Sequence, residues 1–223
     1  MAGNILSADT ASDKIYLHSG FSSTISNSFS SPSNAVEGIS WDGTNVLSGD
    51  DNSNKIYLHT GFSSTISNSF SSPSDGTRSP AWDGTNVLSD DSTSDKIYLH
   101  TGFSSTISNS FSSPSDLPIA IAWDGTNVLS DDIDSDKIYK HSGFSSTISD
   151  SFSSVSTLPV GVGWTGVDVL SSDIASQKIY LHTGFSSTIS NSFSSPSSDP
   201  RAAADDSWPG INTSWKNLLG VGL

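Results

Sequence analysis

The chain has 223 residues, a third of them hydrophobic, and 23 acidic against 9 basic side chains leave a formal net charge of -14. That balance repels phosphate backbones and anionic lipid surfaces, so neither nucleic acid nor a membrane is an expected partner. There is no cysteine, which excludes disulfides and thiolate metal sites, and no apolar run approaches the length of a bilayer span.

The opening residues, Met1-Ala2-Gly3-Asn4, carry neither a basic region nor an apolar stretch. A secretory leader is therefore not expected. The reading is of a soluble protein that would reach a virion or an extracellular surface only by a route without a leader.

Residues 4–7 (Asn-Ile-Leu-Ser) read as a short strand, and Lys14-Ile15-Tyr16 then opens a pattern that dominates the chain. The same triplet begins again at Lys55, Lys96, Lys137 and Lys178, a spacing of 41 residues each time. Phe21, Phe62, Phe103, Phe144 and Phe185 hold the same register, as do His18, His59, His100, His141 and His182. Trp41, Trp82, Trp123 and Trp164 fill four of five equivalent positions. Self-similarity at such a fixed period is the mark of a repeat architecture.

The unit at residues 78–114 illustrates the elements. Residues 79–82 form a strand that ends at Trp82, and Asp83-Gly84 is a hairpin signal because both residues tolerate tight-turn geometry. Residues 86–89 predict a second strand, and residues 90–95 a polar loop. Lys96-Ile97-Tyr98-Leu99-His100 alternates two faces and is rich in β-formers, which predicts the third strand. Thr101-Gly102 turns the chain into a fourth, serine-rich strand over residues 106–111, which ends before Pro114. Four short antiparallel strands per unit match a propeller blade. The fold class is all-β: a five-bladed β-propeller of four-stranded antiparallel blades.

The two ends of the pattern complement each other. Residues 4–7 align with the second strand of a unit and no first strand precedes them. Residues 201–206 occupy the first-strand slot after the fifth unit, so a C-terminal strand is expected to complete the N-terminal blade and close the ring. There Asp205 stands in the tryptophan position, and Ala202, Ala203 and Ala204 offer little apolar surface. The seam is therefore expected to hold mainly by backbone hydrogen bonds. The propeller domain spans residues 1–206. Residues 207–223 form a C-terminal tail for docking or assembly, with self-association expected through Trp208, Trp215, Leu218 and Leu219.

The stretch Ile121-Ala122-Trp123-Asp124-Gly125-Thr126-Asn127-Val128-Leu129-Ser130-Asp131, followed by Lys137-Ile138-Tyr139-Lys140, resembles blades of the NHL-type, virginiamycin-lyase-like and glutamine-cyclotransferase-like propellers. That resemblance covers essentially residues 1–206. It implies the blade fold but no single activity, because the group includes enzymes, scaffolds and binding modules. Five near-identical blades also resemble the tachylectin type of sugar-binding propeller in architecture. The tail segment Ile211-Asn212-Thr213-Ser214-Trp215-Lys216 is similar to short segments at the ends of phage-like virion proteins.

Candidate sites follow from symmetry. A site within a blade or between neighbours should recur about five times, whereas catalysis needs a differentiated nucleophile, base and orienting group. No catalytic residue, metal ligand set or cofactor is therefore expected. Asp9, Asp50, Asp91, Asp132 and Asp173 recur in the loop between the second and third strands, where they are expected to form a negative face and to accept hydroxyls of a ligand. Trp41, Trp82, Trp123 and Trp164 are the second candidate set, either stacking on a sugar ring or filling the core between blades. The five histidines are expected to cap, bonded to the neighbouring Asp-Gly turns. The reading is a non-enzymatic, multivalent binding or display propeller whose ligand is a glycan or a protein surface. The alternative is a purely structural component, either of a virion-like assembly or as a designed scaffold.

Overall fold

A computed structural model of the chain describes residues 3–207. Twenty strands follow in chain order. The first are β1 (Ile5–Asp9), β2 (Lys14–His18) and β3 (Ile25–Ser30). The second blade is β4 (Val36–Trp41), β5 (Val46–Asp50), β6 (Lys55–His59) and β7 (Ile66–Ser71). The third is β8 (Thr77–Trp82), β9 (Val87–Asp91), β10 (Lys96–His100) and β11 (Ile107–Ser112). The fourth is β12 (Pro118–Trp123), β13 (Val128–Asp132), β14 (Lys137–His141) and β15 (Ile148–Ser153). The fifth is β16 (Pro159–Trp164), β17 (Val169–Asp173), β18 (Lys178–His182) and β19 (Ile189–Ser194), after which comes β20 (Pro200–Asp205).

These strands make five four-stranded sheets, and the first has the order β20-β1-β2-β3. The C-terminal strand thus completes the N-terminal blade, in antiparallel register from Ile5 opposite Asp205 to Asp9 opposite Pro200. The first strands of the blades, β4, β8, β12, β16 and β20, pack on one another around the ring axis. Their tryptophan ends share one face with the Asp-Gly turns. The loops between second and third strands lie at the other face.

The core lies between blades, and its parts repeat. Ile56 and Leu47 are buried completely, and on the rim side Phe29 meets Phe62 of the next blade edge-on, with ring centroids 4.8 Å apart. The same pair recurs as Phe70–Phe103, Phe111–Phe144, Phe152–Phe185 and, across the seam, Phe193–Phe21. Edge-to-face rings are worth about 0.5–1.5 kcal/mol beyond the area they bury. A polar unit thereby gains specific adhesion to its neighbour.

The turns account for other fixed residues. Asp42 Oδ1 accepts the amides of Thr44 (2.8 Å) and Asn45 (2.6 Å), closing the first hairpin. Asn45 Oδ1 then accepts the Gly61 amide at 2.9 Å, tying that hairpin to the turn after the third strand. Gly61 itself needs its positive φ of 61°. The variable register of Asp13, Asn54, Asp95, Asp136 and Gln177 is a left-handed turn position, with φ from 52° to 55°. Its demand is backbone geometry, which explains why acidic and amide side chains interchange there.

Two expectations are corrected. The second strand runs through Asp91, so Asp90 and Asp91 belong to β9 and are buried, not part of a solvated loop. The seam holds by more than its ladder. Asp206 accepts from the Asn4 amide (2.7 Å) and Asn4 Nδ2 (2.8 Å), Arg201 Nε donates to Thr10 Oγ1 (3.3 Å), and the Thr10 and Ser197 hydroxyls donate to Asp199 and Asp9.

Candidate functional site

The five recurring aspartates end the second strands, and all are at least 98% buried. Asp50 shows the pattern: Oδ1 accepts the Ser53 amide (2.8 Å) and hydroxyl (2.7 Å), and Oδ2 accepts the Ser33 hydroxyl from the connection that enters the blade. Tyr57 donates in turn to Ser53 Oγ at 3.0 Å. Asp9, Asp91, Asp132 and Asp173 hold their own turns in the same way. The expectation of a ligand-facing acidic row does not survive this burial. Each carboxylate closes a turn and, in four blades, pins the incoming connection.

The histidines are also internal, and their partner differs from the expected Asp-Gly turn. His59 Nε2 meets Ser48 Oγ at 2.9 Å, and the pair recurs in every blade as Ser7–His18, Ser89–His100, Ser130–His141 and Ser171–His182. His141 Nδ1 donates to the Ser145 carbonyl at 2.9 Å, which leaves Nε2 to accept from Ser130. Burial drives the pKa of His18, His59, His100 and His141 down to about 4, a backbone hydrogen bond opposing it, and lowers that of His182. These imidazoles are neutral packing elements, each tilted against a phenylalanine of the adjacent blade at 4.9–5.1 Å.

The tryptophans are brought together. Trp41, Trp82, Trp123 and Trp164 end the inner strands, and with Asp205 they line one axial pocket that opens at this face. Each indole packs over the blade before its own: Trp41 on the first blade's Leu6 and Ile15 group, Trp164 on the fourth blade's Leu129 and Ile138 group. Core packing and pocket lining are thus combined in one residue. Between the fifth and first blades no indole is present among the described residues, and Leu170, Ile179, Ile5 and Ala203 pack with Phe21, Leu181 and Phe193. The ring of tryptophans is broken there by a carboxyl.

Asp205 is 3% exposed. Its Oδ1 accepts the Ser207 amide at 2.7 Å and the Ser207 hydroxyl, while Oδ2 is buried without a hydrogen-bond partner. Burial raises its pKa, with the Ser207 bonds opposing. Beside the fourth blade, Lys140 Nζ lies 6.0 Å from the Trp164 ring and 2.7 Å from Asp124 Oδ2. In the other blades this position is Leu17, Leu58, Leu99 or Leu181.

At the opposite end of the inner strands the blades also differ. Glu37 is paired with Arg201 at 3.1 Å and with Arg78 at 3.6 Å, joining three successive blades. The equivalent residues in the other two blades are Ile119 and Val160. Asp90 and Asp131, one residue before the turn-closing aspartates, are completely buried, with Oδ1 accepting the Ser79 and Ala120 amides at 2.6 and 2.7 Å. Desolvation pushes Asp90 up to about 7 and Asp131 well above the usual carboxylate range, with Asp90 adding to the latter. None of these groups stood out from composition. The signal that finds them is the register of the repeats: while the outer strands hardly vary, the inner-strand series Glu37, Arg78, Ile119, Val160, Arg201 shares almost nothing.

No protein-family model matches the sequence, and no curated protein matches it. In structure the chain is similar to the crystal structure of Myxococcus xanthus glutaminyl cyclase, with a TM-score of 0.60 and 9% identity over 72% of this chain and 70% of that one. At this identity the likeness concerns the fold alone. It agrees with the resemblance of the blade sequence to glutamine-cyclotransferase-like propellers, and the protein is a five-bladed β-propeller. The tail residues Trp208, Trp215, Leu218 and Leu219 lie outside the described residues.

Proposed function

We propose that this propeller is a non-enzymatic binding protein whose principal ligand enters the axial pocket. One observation carries the reading: nearly everything outside the inner strands is repeated, and the strands that differ converge on a pocket with four tryptophans and one carboxyl. Among the described lining residues Asp205 is the sole titratable side chain, so a paired acid and base is not at hand there. Indole faces and a carboxylate suit a sugar ring of a glycan or a side chain presented by a protein. The test is a glycan array followed by calorimetry on the best binder. Binding near one per chain, weakened by Trp82→Ala, supports the axial reading, and binding indifferent to the tryptophans sinks it.

The multivalent form of binding has its own support in the outer strands. Ile25, Ile66, Ile107, Ile148 and Ile189 are 37–44% exposed on five equivalent sheet edges. A partner that reads these edges would bind weakly at each and gain by avidity. Calorimetry separates the two forms, because this one requires a stoichiometry near five. A purely assembling role would instead appear as a concentration-dependent particle size that depends on residues 208–223.

A further inference from the structure

We propose that the axial pocket receives an organic ammonium group, held between the rim indoles and the Asp205 carboxylate. The inference rests on the axial-binding reading and specifies the ligand's charge. Four of the five equivalent rim positions are tryptophan and the fifth is aspartate, so the pocket has π-faces and one concentrated negative charge. Aromatic faces attract cations through their quadrupoles, most strongly for indole and where water is thinned. The carboxyl accepts from Ser207 and from the Gly3 backbone, and its Oδ2 is buried without a donor. A buried acceptor left unmatched is costly, and an N–H donor removes that penalty. An ammonium supplies both the donor and the charge, whereas a neutral hydroxyl supplies the donor only.

The same rim already contains a model of the interaction. Lys140 carries its ammonium to within 2.7 Å of Asp124 and about 6 Å of both the Trp164 and Phe185 rings. At the gap between fifth and first blades the corresponding residue is Leu181, so among the described residues that interface has the carboxylate and no counterpart of the Lys140 ammonium. The net charge of -14 further favours approach of a cation.

The test uses the full chain and a matched pair of probes, cyclohexylammonium and cyclohexanol, which share a shape and differ in charge. Calorimetry and tryptophan fluorescence are read together. Cyclohexylammonium should bind one per chain, change the indole emission, and exceed cyclohexanol by on the order of tenfold in affinity. Asp205→Asn should remove that preference. Asp205→Trp, which restores the residue of the other four blades, should remove it too, and serves if the Asn variant does not fold. Equal affinity for both probes would overturn the ammonium inference and leave the axial reading standing. Binding unchanged in either Asp205 variant would also overturn it, by placing the cation on the general acidic surface. Absence of binding by either probe counts against the inference, while the array alone decides the axial reading.

Discussion

Replacing Asp90 by asparagine should change the sign of its effect on stability as the pH rises. The carboxyl is completely buried and titrates at about 7 instead of 3.8, chiefly through desolvation, with the Ser79 amide opposing. A folded-state pKa raised in this way means that the folded chain holds the proton more tightly than the unfolded chain. The stability it contributes is present below pH 3.8 and is lost as the pH climbs through 7. The difference corresponds to about 4 kcal/mol once the group is ionised in both states. Asparagine cannot ionise and keeps an oxygen for the Ser79 amide, 2.6 Å away. Its Nδ2 would strand two N–H donors where the protonated carboxyl strands a single O–H, an added cost of about 1–3 kcal/mol. The variant should therefore be less stable than the parent near pH 4 and more stable near pH 8.5, by roughly 1–3 kcal/mol in each direction. Thermal melts should cross between those limits, each kcal/mol moving the midpoint by about 2–4 °C in a domain of this size. A difference that stays constant from pH 4 to 9 would refute the reasoning, because Asp90 would then not change its charge in that window.

Three further outcomes are expected. Asp50→Ala should lower stability by about 1–3 kcal/mol, since it strands the Ser53 amide and the Ser33 hydroxyl, and should leave axial ligand affinity unchanged; a loss of affinity at equal stability would return that aspartate to the binding surface. His18, His59, His100 and His141 act opposite to Asp90: with folded pKa values of about 4 against 6.5, their stability is present above pH 6.5 and lost as the pH falls toward 4, so His59→Gln should flatten the acid limb of the melting profile. Ending the chain at Asp199 removes β20 and bares the edge of β1, which should cause aggregation or a much lower melt, while in the intact chain the amides of β20 should exchange about as slowly as those of β12, because side chains clasp both ends of the seam. Rapid exchange confined to β20 would show that those clasps contribute little.

The architecture was legible because periodicity carries it. Equal spacing of Lys14, Lys55 and their successors gave the blade count, and the vacant first-strand slot ahead of Ile5 gave the closure that β20 supplies. The candidate site was legible only in part. The tryptophans were picked out by recurrence, but recurrence says nothing about whether equivalent residues are kept apart or led to a common axis. For the aspartates the residue type misled: acidic residues beside serines read as a solvated loop, whereas the second strand continues through them and the serines supply the donors that permit burial. Asp205 reads from sequence as a defect in the closing strand. In the fold it is the one charged side chain among the described residues of the pocket.

The concentration of difference in the inner strands separates the chemistry of the hub from the adhesion of the rim. The Phe–Phe and Phe–His contacts between successive blades are the same at every junction, so each blade can neighbour any other through its outer parts. Ligand preference then becomes a matter of permutation. Exchanging β12 for β4, six residues for six, would carry a new set of side chains to the axis while leaving the Phe–Phe and Phe–His contacts of the outer parts in place. Even with composition held constant, the cyclic order of the inner strands would decide which groups face each other across the pocket. Glu37 finds Arg78 and Arg201 because their blades flank its own. Shuffled chains of identical composition should accordingly differ in what they bind.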